Sequence, residues 1–280
     1  MELLGAIFGQ PASIYFNEET RATLVTVYCE RRSEWSLATK AALVAGLKRI
    51  RDCGLDIGPG KITTRRVRRE DWAESWKRHF KPLEIGPTLL IKPSWSRRRA
   101  RRGQAVVVLD PGLSFGTGQH ATTAFCLHQL VASRRAGAAQ SFLDIGTGSG
   151  ILAISAAKLG YAPVQAFDFD PEAVRVATAN AAQNGVAAEA KIQRRDLTRL
   201  RRHSVRRHHV VCANLIYDLL LSESARILAR LRADGVLVLA GILATQFAQV
   251  QAHYEQAGME LVANREEKEW RSGAFRLRPM

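Results

Sequence analysis

The chain has 280 residues, 46% of them hydrophobic and 7% aromatic, enough to bury the core of one large domain or of a large and a small one. No apolar run reaches the roughly 18 residues of a membrane span, and Met1-Glu2-Leu3-Leu4 lacks the basic region of a secretory signal, so a cytoplasmic protein with no membrane partner is expected. Against 26 Asp and Glu stand 41 Lys and Arg, a formal net charge of +15 that favours polyanions at least nonspecifically.

Thr23–Tyr28 alternates as a strand does, and Leu37–Arg51 spaces its apolar residues along one face of a helix. Gly54, Gly58, Pro59 and Gly60 then break the pattern. Asp71 is placed to cap a helix running to Phe80, whose Trp72, Trp76, His79 and Phe80 fall on neighbouring turns and read as packing. Cys29, Cys53, Cys126 and Cys212 are widely spaced without a CxxC pair, which suits buried thiols in a reducing compartment. Arginine is clustered at Arg65-Arg66 and Arg68-Arg69, at Arg97-Arg98-Arg99-Ala100-Arg101-Arg102, and from Arg194 through Arg199, Arg201 and Arg202 to Arg207. These clusters suit either solvated loops or a surface that meets ribosomal RNA.

Asp110–Thr123 is rich in Gly and Pro and reads as an irregular loop of the kind that serves as a lid. It is not a phosphate loop, because no Gly-Lys-Ser/Thr follows. Thr122 or Thr123 is expected to cap the next helix, which carries Phe125, Leu127 and Leu130.

From Ser141 onward strand and helix alternate. Strands are expected at Ser141–Ile145, Val164–Asp168, Glu189–Gln193, His209–Ala213, Gly235–Ala240 and Met259–Arg265, and helices at Ile151–Leu159, Glu172–Asn184, Tyr217–Arg232 and Thr245–Ala257. Such alternation predicts an α/β fold with a mostly parallel sheet covered on both faces, and ligands beyond the carboxyl ends of the strands.

The first of these strands runs into Asp144-Ile145-Gly146-Thr147-Gly148-Ser149-Gly150, and Asp168 ends the next strand, 22 positions after Gly146. An acid at about that distance accepts hydrogen bonds from ribose hydroxyls, so an adenosine-containing cofactor is expected. The third glycine of a dinucleotide fingerprint would fall at Ile151, so the pattern departs from the pyrophosphate motif. Asp144 places an anion near the ligand, which suits the cationic amino group of S-adenosylmethionine, and the turn resembles motif I of class I methyltransferases. Asn214, leaving an apolar strand at the same edge, is either a helix N-cap or a contact to substrate or cofactor. His203, His208, His209 and Cys212 match no standard metal spacing, and no metal is expected.

Together Asp110–Thr123, Phe142–Ala153 and Ala213–Ile216 resemble the ribosomal protein L11 methyltransferase family. Asp71-Trp72 through Lys81-Pro82, Pro93-Ser94-Trp95 and Gly241-Ile242-Leu243 add to the resemblance. It implies a seven-stranded, mostly parallel, Rossmann-like methyltransferase sheet at 83–280, a linker helix at 66–82, and a small α+β substrate-recognition domain at 1–65, here a shortened ferredoxin-like one. It implies cofactor contacts at Thr123, Gly146, Asp168 and Asn214, joined by Asp144 and Gly148 of the turn, and a loop around Phe115 that closes over the cofactor. The implied reaction moves methyl groups from S-adenosylmethionine to amino groups of ribosomal protein L11, with a monomeric enzyme and Asn214 positioning the amine. A methyltransferase acting on RNA or another protein, and a noncatalytic RNA- or ribosome-binding module, are the alternatives.

Overall fold

The computed structural model describes residues 2–10, 12–17, 22–54, 56–65, 80–110, 120–135 and 137–279. The chain forms two units, Met1–Arg68 and Arg69–Met280.

In the small unit, α1 (Glu2–Phe8) and the hairpin β1 (Ser13–Asn17) and β2 (Ala22–Thr26) precede α2 (Leu37–Asp52). A capping box starts α2: Ser36 Oγ accepts the Thr39 N–H at 3.1 Å, and Thr39 Oγ1 accepts the Ser36 N–H at 2.7 Å. Leu43 and Gly46 are its buried residues, and Gly46 faces Leu3 of α1 so closely that a Cβ there would lie 2.4 Å from Leu3 Cδ1. The expected strand Thr23–Tyr28 is shifted to Ala22–Thr26, and its partner β1 had no clear alternation to reveal it. The helix expected from Asp71 to Phe80 lies, up to its last residue, outside the described residues.

The large unit opens with a three-stranded sheet of β3 (Leu83–Ile85), β4 (Leu89–Lys92) and β5 (Ala105–Val108), antiparallel then parallel. The arginine run Arg97–Arg102 lies between β4 and β5. It is tied to β3: Arg98 and Arg101 both pair with Glu84, Arg101 at 2.8 Å.

The main sheet follows from α3 (Ala121–Ala132) through β6 (Phe142–Ile145), α4 (Ile151–Lys158), β7 (Val164–Asp168), α5 (Pro171–Gln183), β8 (Ala190–Arg194), β9 (His208–Asn214), α6 (Tyr217–Ser222), α7 (Ser224–Leu228), β10 (Leu231–Leu243), α8 (Ala244–Gln256), β11 (Met259–Glu267) and β12 (Trp270–Leu277). Its seven strands lie in the order β11-β12-β10-β9-β6-β7-β8. β12 runs against both its neighbours, and the other pairings are parallel. This is the expected Rossmann-like sheet. Alternate strand residues serve two cores: Phe142, Val164, Val210 and Val238 face one side, and Leu143, Phe167, Val211 and Leu239 the other.

Two expected elements differ. The helix expected over Tyr217–Arg232 is two short ones that break at Glu223, and the strand expected from Gly235 already begins at Leu231. The cysteines also divide: Cys126 and Cys212 are buried as expected, whereas Cys29 and Cys53 are exposed. No helix among the described residues is long and apolar enough to cross a membrane.

Strand order reverses at β6. From it the chain steps to β7 and β8 on one side, then returns to β9 and β10 on the other. Beyond the carboxyl ends of β6 and β9 the two sets of connections diverge and leave a crevice.

Candidate functional site

At the end of β6 the chain turns through Gly146-Thr147-Gly148-Ser149-Gly150 into α4. All three glycines have positive φ, of 74°, 53° and 81°, a conformation that side chains with a Cβ rarely adopt. Close packing adds to this. A Cβ on Gly146 would lie 2.4 Å from Leu215 Cδ2, and one on Gly150 would lie 3.0 Å from Ala177 Cβ. The turn is therefore clasped between the exit of β9 and the alanine face of α5. Asn180 of α5 fastens it further by donating to the Ser149 carbonyl at 2.8 Å. The sequence starts α5 sharply: Asp170 accepts the Glu172 N–H at 2.9 Å, and Pro171 opens the first turn.

Asp168, at the end of β7, is 8% exposed. Its Oδ2 accepts the Gly148 N–H at 3.0 Å, and its Oδ1 accepts the Asp170 N–H at 3.1 Å. A carboxylate oxygen can accept more than one hydrogen bond, so both keep capacity for a ligand. These amides fix the carboxylate in place before any ligand arrives.

Asp144 lies beneath the turn with 1% of its surface exposed. Thr147 donates to its Oδ2 at 2.7 Å, and its Oδ1 has no hydrogen-bond partner among the described residues. Burial pushes this carboxyl up to about 7. The Thr147 hydroxyl opposes the rise, and the Asp168 carboxylate adds to it. A half-satisfied buried carboxyl is costly to ionise alone and gains from a cation beside it.

Asn214 is the last residue of β9, half-buried, and the N-cap of α6 is Ile216, so the helix-cap reading of Asn214 is set aside. Among the described residues its side-chain amide has no hydrogen-bond partner. Gly241 of β10 makes room for it. With φ of 83°, a Cβ at Gly241 would meet Leu215 O at 2.4 Å and Asn214 Oδ1 at 3.1 Å.

Asp144, Gly146, Gly148 and Asp168 thus meet at one turn, and Asn214 adjoins it through Leu215. Thr123 stands on a separate element, α3, which packs against α4, β9 and β10. Its side chain is buried, with a hydroxyl that has no partner among the described residues. Neither it nor Thr122 is the expected cap: α3 begins at Ala121, its cap position is His120, and Thr122 Oγ1 bonds instead to His120 Nδ1 at 2.8 Å. The His120 ring also packs edge-on against Trp270, centroids 5.0 Å apart. Phe115 and most of its loop, 111–119, lie outside the described residues.

Sequence reasoning passed over Thr147, Leu215 and Phe169. Phe169 is 70% exposed between Asp168 and Asp170, and Ile216 beyond β9 is 65% exposed. An exposed Phe directly after the acid of a strand end was a readable signal, because a large apolar side chain left open at a ligand edge marks a binding face. The set as a whole fits an adenosine-bearing cation: a fixed carboxylate with spare acceptor positions, a buried carboxylate oxygen without a partner, an open amide acceptor and an apolar face.

Comparison with known proteins agrees in kind. The family model described as Ribosomal protein L11 methyltransferase (PrmA) matches residues 13–277. A ribosomal protein L11 methyltransferase of Pelotomaculum thermopropionicum is 40% identical over 222 residues, which are 79% of this chain and 70% of that protein. Another, of Trichlorobacter lovleyi, is 42% identical over 214 residues, 75% of this chain and 69% of that protein. Among solved structures, the ribosomal protein L11 methylase of Lactobacillus delbrueckii subsp. bulgaricus superposes with a TM-score of 0.63 at 27% identity, covering 71% of this chain and all of that one.

Proposed function

The chain belongs to the ribosomal protein L11 methyltransferase family, and on that premise we propose that it moves methyl groups from S-adenosylmethionine to amino groups of ribosomal protein L11. The observation that carries this reading is the carboxyl edge itself: a glycine turn locked onto Asp168, with Asn214 held against it by Leu215 and Gly241.

When bound, S-adenosylmethionine supplies an electrophilic methyl group on a sulfonium. Asp168 would accept from its ribose hydroxyls, and the Gly146–Gly150 turn lets backbone approach it. Asp144 would stand near its cationic amino group, with its charge restored by that neighbour. The exposed ring of Phe169 and branched chain of Ile216 would offer an apolar face to the adenine. Thr123 would contact the cofactor from α3, and Phe115 would cover it from the loop.

The substrate nitrogen must present a lone pair. A free lysine has a pKa near 10.4 and an α-amine about 7.7–8.0, so both are largely protonated at neutral pH. Desolvation at the apolar edge lowers those values, and the Asn214 oxygen can accept one amine N–H and aim the lone pair. Proton release goes to solvent. His120 is committed to Thr122 and Trp270 and is not assigned as a base. Positioning then accounts for much of the acceleration.

The smaller unit is assigned to substrate recognition, with 66–82 as the connecting segment. Its hairpin leaves Ile14, Tyr15 and Leu24 exposed, a surface suited to a protein partner. A monomer in the cytoplasm completes the reading, and light scattering tests the first part of that. The decisive experiment incubates the protein with labelled S-adenosylmethionine and purified, nuclease-treated ribosomal proteins. Label on L11 is expected, and label on RNA or on another protein alone would overturn the substrate assignment.

A further inference from the structure

The segment from Arg194 to Arg207 holds seven arginines and one carboxylate, Asp196. It leaves β8 beside Asp168, where the Arg195 N–H donates to the Asp168 carbonyl at 2.9 Å. It then returns to the opposite edge of the sheet, where β9 begins at His208. The segment crosses the whole height of the sheet, roughly 20 Å for a strand the length of β9.

Its course is fixed from beneath by two further arginines. Arg226 Nε donates to the Leu200 carbonyl at 2.7 Å, and Arg230 Nη2 donates to the Arg201 carbonyl at 3.3 Å. Leu197 is buried, and Leu200 packs against the same core as Leu197. With backbone and apolar side chains held inward, the guanidiniums of Arg201, Arg202, Arg206 and Arg207 are exposed. Among the described residues none of these four forms an ion pair. Arg199 is the one arginine of the segment that faces its carboxylate, 3.5 Å from Asp196.

At the far edge the track ends in a cleft of about 840 Å³, lined among others by Ser141, Gln165, Arg206, Arg207, His208 and Arg232. Asp234 also lines it, but its charge is taken by Arg232 at 3.0 Å. His208 is 3% exposed, and its Nδ1 has no partner among the described residues. The cleft lies at the amino ends of the strands, away from the glycine turn, and the methyl-transfer chemistry makes no use of it.

We propose that residues 194–207 and this cleft bind the phosphate backbone of nucleic acid without regard to base sequence. Exposed guanidiniums on a fixed path suit a row of phosphates, each able to take a forked pair of hydrogen bonds. The segment carries no Phe, Tyr or Trp on which to stack bases. Its one exposed large apolar residue is Val205, so it lacks the apolar centre of a protein-binding surface. The site does not depend on the methyl-transfer reading.

The test measures binding of two fluorescent RNA duplexes of unrelated sequence by anisotropy across a salt series. The natural chain is compared with the variant Arg201→Gln/Arg202→Gln/Arg206→Gln/Arg207→Gln. The natural chain is expected to bind both duplexes within about threefold of each other, with a steep salt dependence. The variant should bind at least about tenfold more weakly at 0.1 M salt and lose about 3 from the slope of log K against log salt. Its affinity for S-adenosylmethionine and its circular dichroism should not change. Equal affinity and slope in the two proteins would overturn the assignment. So would displacement by polyglutamate as effective as by unlabelled RNA, which would mark an acidic protein as the partner, or a strong preference for one duplex, which would mean base readout.

Discussion

Around the glycine turn, where β6 and β7 end, stand the carboxylates Asp144, Asp168 and Asp170, with Arg194 and Arg195 at the neighbouring end of β8 as the cations of that edge. Where the same strands begin, the connections hold guanidiniums: Arg206, Arg207 and Arg232. The fold itself favours this division. Every strand-to-helix turn brings a helix N-terminus to the carboxyl edge, with its partial positive charge and unpaired N–H groups. Asp170 answers that at α5. Helix C-termini collect at the other edge, where cations are favoured. A βα sheet can therefore offer one edge to a cationic cofactor and the other to a polyanion with little mutual interference.

The largest expected effect is at the carboxyl edge. Asn214→Ala removes the open acceptor beside the turn while leaving Asp168 and its amide partners intact. If it holds the amine, kcat falls on the order of 10²-fold with little change in substrate KM. If instead cofactor affinity falls and kcat at saturating cofactor stays level, Asn214 serves the cofactor alone.

Asp168 comes next. Asp168→Ala should weaken S-adenosylmethionine binding by about 1.5–3 kcal/mol, roughly 10- to 150-fold, the range for hydrogen bonds to a charged group. The same carboxylate also accepts from Gly148 and Asp170, so the alanine variant disturbs the turn as well. Asp168→Asn keeps one oxygen acceptor and separates the two contributions. Unchanged affinity in both variants, measured by calorimetry on folded protein, would remove Asp168 from the cofactor site.

Much of this edge was legible in the sequence, because its causes are local. Glycines in a tight turn, an acid at a strand end and a run such as Val210-Val211-Cys212-Ala213 announce themselves. What escaped depends on contacts distant in the chain. β12 carries Arg271 and Arg276 among its apolar residues and exists because it pairs with β10 and β11. The break at Glu223 inside a smooth helical pattern is tertiary too: Arg226 and Arg230, spaced as on one helix face, turn to the carbonyls of Leu200 and Arg201. Gly241 was visible as a letter, but its reason, the approach of Leu215 and Asn214, was not. The arginine clusters looked alike in sequence, and only their ion pairs and backbone anchors tell them apart.

A smaller effect separates Asp144 from the other carboxylates by its pH dependence. Its carboxyl is raised to about 7 in the folded chain, opposite to a paired surface carboxylate. The folded protein keeps a proton that the unfolded chain has already lost. The resulting stability is full below the ordinary carboxylate range and is lost as pH rises through about 7. A cation beside Asp144 reverses this by favouring the ionised form. The rise in Tm on adding S-adenosylmethionine should therefore grow from pH 6 to pH 8 in the natural chain and stay flat in Asp144→Asn. Equal growth in both proteins would mean that Asp144 does not sense the cofactor.

The smallest effect is expected where the sequence drew most attention. Arg97–Arg102 is the densest basic run in the chain, yet Glu84 engages Arg98 and Arg101 together. Those hydrogen bonds and charges hold the Glu84 carboxyl below its usual range. Phosphates would have to displace Glu84 to recruit that pair, whereas Arg201, Arg202, Arg206 and Arg207 stand ready. Neutralising Arg98 and Arg101 to glutamine should thus lower the salt slope for the RNA duplexes by less than the loss expected from the 201–207 variant. It should leave the affinity within a few fold at 0.1 M salt. A larger loss from the 97–102 run than from the 201–207 set would move the polyanion surface to the β4–β5 connection. The amino edge of the main sheet would then be a solvated face, and the division of charge between the two edges would owe nothing to a nucleic-acid partner.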